Sequence, residues 1–152
     1  MTRQARLLQV DPRGTALVFD LEPSQVTEGG LVGGWEEVPH PKRPASTEYR
    51  GQPLRTLSID VLFDGWRAQR PVEAQLRVLR IWGSIPRGRR EPPVLRFEYA
   101  NYGMFRWVVN GLEWGDSLRR FDQQRVRQAV TVQLLEYRDV EVRPSPARRA
   151  VP

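Results

Sequence analysis

The chain has 152 residues and no cysteine, which removes disulfide frameworks, thiolate metal sites and cysteine nucleophiles. A chain of this length buries roughly 68–70% of the surface its unfolded form exposes, enough for one core without staples. Its single histidine, His40, lies between Pro39 and Pro41, which excludes a multi-histidine metal site and leaves no ready base for a hydroxyl nucleophile. Lys+Arg number 24 against 18 Asp+Glu, a formal +6. The excess is almost all arginine, with Lys42 as the sole lysine, and it raises nucleic acid or acidic protein surfaces as partners. Arginine-favouring codon usage produces the same bias, so charge alone assigns no partner. No apolar run approaches the roughly 20 residues of a membrane helix, and the opening Met1–Val10 lacks the apolar stretch of a signal peptide, so a soluble, non-exported protein without membrane insertion is expected.

In chain order, Arg3–Val10 is β-compatible and runs into Asp11-Pro12-Arg13-Gly14, residues suited to a tight turn, so a hairpin into Ala16–Leu21 is expected. In that second strand Leu17, Phe19 and Leu21 share one face, and Pro23 ends it. From Gln25 to Pro53 glycines bracket Leu31-Val32, and Pro39, Pro41, Pro44 and Pro53 interrupt any helix. This segment reads as a long extended loop, carrying a short strand near Trp35–Val38, that becomes ordered on assembly, since unstructured connections of this length in a compact domain are functional or disordered. Arg55–Phe63 alternates apolar Leu57, Ile59, Val61 and Phe63 with mostly polar neighbours and predicts a half-buried strand. Pro71 opens a helix in which Val72, Leu76 and Leu79 form the stripe, with Val78 and Trp82 on its flank and Gly83 at its end.

A basic, proline-bounded loop, Ile85–Pro93, precedes three further strands. Val94–Tyr99 places Leu95, Phe97 and Tyr99 on one face; a turn at Asn101-Tyr102-Gly103 leads to Met104–Trp114, with Phe105, Trp107 and Val109 inward. After a loop through Gly115-Asp116-Ser117, Gln124–Tyr137 puts Val126, Val130, Val132 and Leu134 opposite Arg125, Arg127, Thr131 and Gln133, with a phase shift expected near Leu134-Leu135. The expected total is about six strands and one helix, in a β domain over 1–142 that includes the 25–53 interaction loop. A basic, proline-rich tail follows over 143–152.

Catalytic sets are not evident. Glu36-Glu37, Asp60/Asp64 and Glu136/Asp139/Glu141 read as solvated charge, since on a strand Glu136 and Asp139 point to opposite faces and Glu36-Glu37 are neighbours in a flexible loop. The run Gly29-Gly30-Leu31-Val32-Gly33-Gly34 lacks the Gly-Lys-Ser/Thr and the helix start of a phosphate loop. The reading is non-enzymatic, with no catalytic residue, cofactor or metal.

Taken together, Phe19–Val26, Pro53–Asp64 and Pro92–Phe97, in this order and spacing, resemble the tube-type domain of contractile injection systems and phage tails, a family that often carries a peptidoglycan-binding LysM module. The resemblance spans roughly Leu7 to Val142. It implies a mainly β, tail-tube-like split barrel or two-sheet sandwich with one flanking helix. It also implies a structural ring, a homo-oligomer of hexameric order, at the baseplate hub or tail tube of a virion or injection particle assembled in the host cytoplasm. Its partners would be neighbouring tube, hub or spike, wedge and tape-measure proteins, with DNA only in transit. Relatives with LysM continue well past the last strand, whereas here ten residues follow Val142, so adaptor, tube-initiator and hub roles are expected without LysM docking. The expected interface residues are Leu31, Val32, Trp35, Tyr49 and Trp66 as apolar anchors, with Arg87, Arg89, Arg90, Arg125, Arg127, Arg148 and Arg149 on acidic partner surfaces. The competing reading is a basic β-barrel that binds single-stranded nucleic acid, although Phe97, Tyr99, Phe105 and Trp107 fall in core phase, away from the arginines.

Overall fold

The computed structural model describes residues 4–139. The chain is mainly β, with one α-helix and two antiparallel sheets. The strands are β1 (Arg6–Asp11), β2 (Arg13–Val18), β3 (Gln25–Gly29), β4 (Trp35–His40), β5 (Arg43–Tyr49), β6 (Thr56–Asp64), β7 (Val94–Glu98), β8 (Arg106–Arg119) and β9 (Arg125–Glu136). Helix α1 spans Glu73–Trp82, and a 3-10 turn at Ala100–Met104 joins β7 to β8. Seven strands form one sheet in the order β2-β1-β7-β8-β9-β6-β3, while β4 and β5 form a separate two-stranded sheet.

Alternation in the sequence becomes burial in the sheet. Leu57, Ile59, Val61 and Phe63 of β6 and Val126, Val130, Val132 and Leu134 of β9 are all buried, as are Leu7, Leu17, Leu95, Phe97 and Trp107. Helix α1 lays Leu76, Leu79 and Trp82 on this face, with Val72 at its start. Two hydrogen bonds fix its ends: the Val72 amide donates to the Arg125 carbonyl at 2.9 Å, and the Trp82 indole donates to Gln9 Oε1 at 3.1 Å.

The large sheet is curled. Phe19, just past edge strand β2, packs edge-on against Phe63 of β6 with ring centroids 6.0 Å apart. Five inter-strand steps separate β2 from β6, about 24 Å in a flat sheet. At 6.5 Å from Phe19, Phe97 completes an aromatic cluster. A second link crosses the sheet at the other side: Tyr102, after β7, donates to Glu28 of β3 at 3.4 Å, and the Arg55 guanidinium lies 3.9 Å over the Phe105 ring. The inner face is therefore a barrel-like core, and β2 and β3 are left as edges, each paired on one side only.

Several expectations are corrected. The short strand expected near Trp35–Val38 is present within β4, but residues 25–53 are otherwise not an extended loop: they hold β3 and the β4–β5 hairpin, raising the strand number among the described residues to nine. The prolines are accommodated because β4 and β5 have no outer neighbour, the position in a sheet where a missing donor is tolerated. Pro41 and Lys42 form the turn between these strands. Lys42 takes φ +62 there, as the third residue of a type II turn does. Gly115-Asp116-Ser117 is not a loop, since β8 runs through to Arg119 and absorbs its irregularity as register shifts at Val109/Gly111, Trp114/Ser117 and Leu118/Arg119. The phase shift expected at Leu134-Leu135 is absent: β9 alternates without interruption to Glu136, which is buried. There Glu136 accepts from the Arg55 amide at 3.3 Å and pairs with Arg138 at 3.3 Å, so it is not the solvated charge expected of it. Leu21, expected to share the core face of Leu17 and Phe19, is 47% exposed because β2 ends at Val18.

Phe63→Ala removes the ring that links the two sides of the curled sheet. It is expected to lower stability by about 3–5 kcal/mol in urea unfolding, whereas Phe121→Ala, at a residue 97% exposed, should stay within about 0.5 kcal/mol of the parent.

Candidate interaction surface

Among the described residues no group of three or more His, Cys, Asp or Glu side chains is placed to hold a metal ion. What the fold presents instead is apolar surface outside the core. The most conspicuous part is the β4–β5 arm. Its strands hydrogen-bond to each other as a separate sheet, in register Trp35↔Tyr49, Glu36↔Glu48, Glu37↔Thr47 and Val38↔Ser46. Trp35 and Tyr49 meet across the strands as a tilted pair, ring centroids 5.1 Å apart and planes at 59°, yet remain 66% and 51% exposed. Cross-strand aromatic pairs of this kind add about 0.2–1 kcal/mol to a hairpin, and they help order two strands that would be marginal alone. Arg50 holds the base through Glu36 and Glu48, and its amide donates to the Gly34 carbonyl. Gly34 at φ +91 is required there: a Cβ would lie 1.9 Å from the Gly51 carbonyl oxygen.

Leu31 and Val32 occupy the turn that enters the arm. Leu31 takes φ +63 and is bonded to the returning chain through Pro53 and Gln52, while Val32 is 89% exposed. The structure thus brings Leu31, Val32, Trp35 and Tyr49 together at the arm and its base. His40 lies near the arm's tip, 2.7 Å from Ser46 Oγ and 3.4 Å from an Arg43 guanidinium nitrogen, where it helps pin the turn.

Trp66 does not join them. The arm springs from the Thr56 end of β6 and Trp66 follows its Asp64 end, eight strand steps or about 27 Å away. There it is 43% exposed and lines a cleft of about 510 Å³ with Asp64, Arg67, Arg70 and Arg127. The Trp66 amide and the Arg127 guanidinium both donate to Asp64 and hold its carboxyl below the usual range, the amide contributing most. Arg127 therefore serves its own fold. So does Arg125: its guanidinium grips Glu73 of α1 with two bonds of 2.8 Å, and its amide adds a third at 3.1 Å. Each arginine thus spans an intramolecular junction; Arg125 keeps 13% of its side chain exposed, whereas Arg127 keeps 37% and lines the cleft beside Trp66. Arg87, Arg89 and Arg90 form a third location, the exposed loop between α1 and β7, where Arg89 reaches Asp11 at 3.4 Å. Arg148 and Arg149 lie outside the described residues, as does the tail over 143–152.

Sequence reasoning missed other exposed apolar positions. Phe121 stands at the tip of the β8–β9 hairpin, 97% exposed, and Met104 is 81% exposed. Phe121 falls between strands, and Met104, expected to open the strand Met104–Trp114, instead ends the 3-10 turn before β8. Trp114 was expected only as the end of a strand. It is 37% exposed beneath Arg80 of α1, whose guanidinium lies 4.9 Å from the ring centroid. No family model matches the chain, and no curated protein is significantly similar to it.

The Glu73–Arg125 clamp makes a pH-dependent prediction. Arg125 lowers the Glu73 pKa to about 2, below its unfolded value near 4.5, so the stabilisation is complete above about pH 4.5 and is lost as pH falls through about 2. Glu73→Gln is expected to cost ~1–3 kcal/mol at pH 7 in urea unfolding, with the gap to the parent protein closing as pH approaches 2.

Proposed function

We propose that this chain is a non-enzymatic structural component that assembles as a closed homo-oligomeric ring, of the kind found at the tail tube or baseplate hub of a phage tail or contractile injection system. The observation that carries the reading is the combination of two unpaired sheet edges, β2 and β3, with a projecting hairpin whose aromatic pair is not covered by its own chain. Unpaired edges are templates for strand pairing with another chain. Because the two edges differ in sequence, joining β2 of one copy to β3 of the next is a head-to-tail contact. Contacts of that type close into rings when the rotation between copies permits. The arm then reaches a neighbouring copy, where Trp35, Tyr49 and Val32 bury the apolar surface they expose in the single chain. Aromatic anchors in desolvated contacts dominate such interfaces.

Within this reading the hexameric order, the place between tube and hub or spike, and the virion or injection particle as location follow from the family resemblance of Phe19–Val26, Pro53–Asp64 and Pro92–Phe97. The Arg87–Arg90 loop supplies positive charge for acidic surfaces of adjoining tube, hub, wedge or tape-measure proteins, setting register and encounter rate more than affinity.

The structure defines where to cut. Gly34 and Arg50 are hydrogen-bonded across the base of the arm, so replacing Trp35–Tyr49 by a two-glycine link removes the hairpin without touching the seven-stranded sheet. The truncated chain is expected to keep its thermal transition within a few degrees and to remain monomeric by native mass spectrometry, while the parent protein forms rings visible by electron microscopy. A parent protein that stays monomeric at every concentration tested, or rings that persist without the arm, would refute the reading.

A further inference from the structure

We infer that the groove between α1 and β8 is a docking site for an acidic segment of another protein, one that carries an aromatic or aliphatic residue among its carboxylates. Helix α1 does not cover the whole inner face of the sheet. Along β8 it leaves a strip of Val109, Leu112 and Trp114 only partly shielded, with Trp114 37% exposed. Two clefts, of about 160 and 260 Å³, share Arg80 as a wall, and Arg80 also lies over Trp114. The first is closed by Glu73, Leu76, Arg77 and Arg125, the second by Gly83 and β8 from Val109 to Leu112.

The charge of the groove selects the occupant. Its one carboxylate, Glu73, is engaged by Arg125, and that pair contributes no net charge. Arg77 and Arg80 are both exposed and make no ion pair among the described residues. They stand at i and i+3 on the helix: Arg80 lies over Trp114 and borders Val109–Leu112, and Arg77 lines the adjoining cleft beside Leu76. Two guanidiniums without a carboxylate partner, one of them resting on an indole beside apolar side chains, suit carboxylates that alternate with a buried side chain. Guanidinium–carboxylate bonds are charge-assisted and bidentate, the strong class. From Val109 to Trp114 is five strand steps, about 17 Å, which an extended segment of about five residues spans.

A nucleic-acid strand fits less well, because the cationic track is short and a carboxylate stands at one end of it. The chain's own residues 140–152 carry Arg143, Arg148 and Arg149 against Glu141, so like charge disfavours them at Arg77 and Arg80. No residue lining the two clefts belongs to an edge strand or to the arm, and the inference does not rest on ring assembly.

A random heptapeptide phage pool selected on the full-length protein tests this. The selected peptides should be enriched in Asp and Glu around an aromatic or aliphatic residue. In fluorescence anisotropy with a selected, labelled peptide, Arg77→Glu/Arg80→Glu should weaken binding by about tenfold or more. Trp114→Ala should weaken it as well. Arg87→Glu/Arg90→Glu and the arm deletion should leave it within twofold, which keeps this result independent of assembly. Both helix arginines are exposed, so that double variant keeps the parent's circular dichroism and remains decisive even if Trp114→Ala unfolds. Selection without acidic enrichment, or binding indifferent to Arg77→Glu/Arg80→Glu, overturns the inference. Displacement by an oligothymidylate strand would reassign the groove to nucleic acid, and displacement by a synthetic peptide of residues 140–152 to the chain's own terminus. A homo-oligomer that Arg77→Glu/Arg80→Glu dissolves would reassign it to a second copy. Each of these also overturns it.

Discussion

Everything in this molecule depends on the closure of the large sheet over one apolar interior. Phe19, Phe63 and Phe97 come from different parts of the chain and meet because the sheet bends until its inner face is nearly continuous. That bend lets a single helix complete the core, since Leu76, Leu79 and Trp82 face side chains arriving from several strands at once. A flat seven-stranded sheet would expose much of this surface, and a ten-residue helix could not cover it. The polar joints follow the same logic: Arg125 and Glu73 seal the start of the helix against β9, and Trp82 with Gln9 seals its end against β1.

Closure leaves the two edges unjoined. The sheet bends far enough to bring Tyr102 to Glu28, yet β2 and β3 do not pair. Backbone donors and acceptors along an edge are satisfied by water in a monomer and by another strand in an assembly. The arm adds to the same imbalance, because its aromatic pair is ordered in the absence of a covering surface. Edges and arm are two expressions of a chain whose apolar and hydrogen-bonding surface exceeds what its own fold consumes, which is the physical content of the ring proposal.

Much of the core was legible in the sequence because strict alternation or a 3.6-residue stripe has one interpretation when a face is buried. β6, β9 and α1 are the clear cases: each predicted inward residue of β6 and the whole stripe Val72, Leu76, Leu79 are buried. Of the arm only the short strand near Trp35–Val38 was legible, and the hairpin itself was not, because Trp35–His40 and Arg43–Tyr49 have no buried face. With both sides in solvent, no alternation is imposed, and the prolines mimic a loop. The fate of Arg125 and Arg127 was hidden for another reason. Strand phase places them off the core face but does not show that Glu73 and Asp64, distant in sequence, are waiting there. The edges and the Arg77–Arg80 groove are likewise products of topology, which no local pattern encodes.

The turn at the tip of the arm has one more consequence. Lys42 is the chain's sole lysine, and the fold sets it at the outermost point of the hairpin, exposed and at positive φ. Its ε-amine is the one side-chain amine in the molecule, and it stands in the turn that joins β4 to β5. Acylation chemistry that ignores guanidinium groups therefore addresses this turn among all the side chains. The composition that made the protein look merely basic also gives its arm a chemical address of its own.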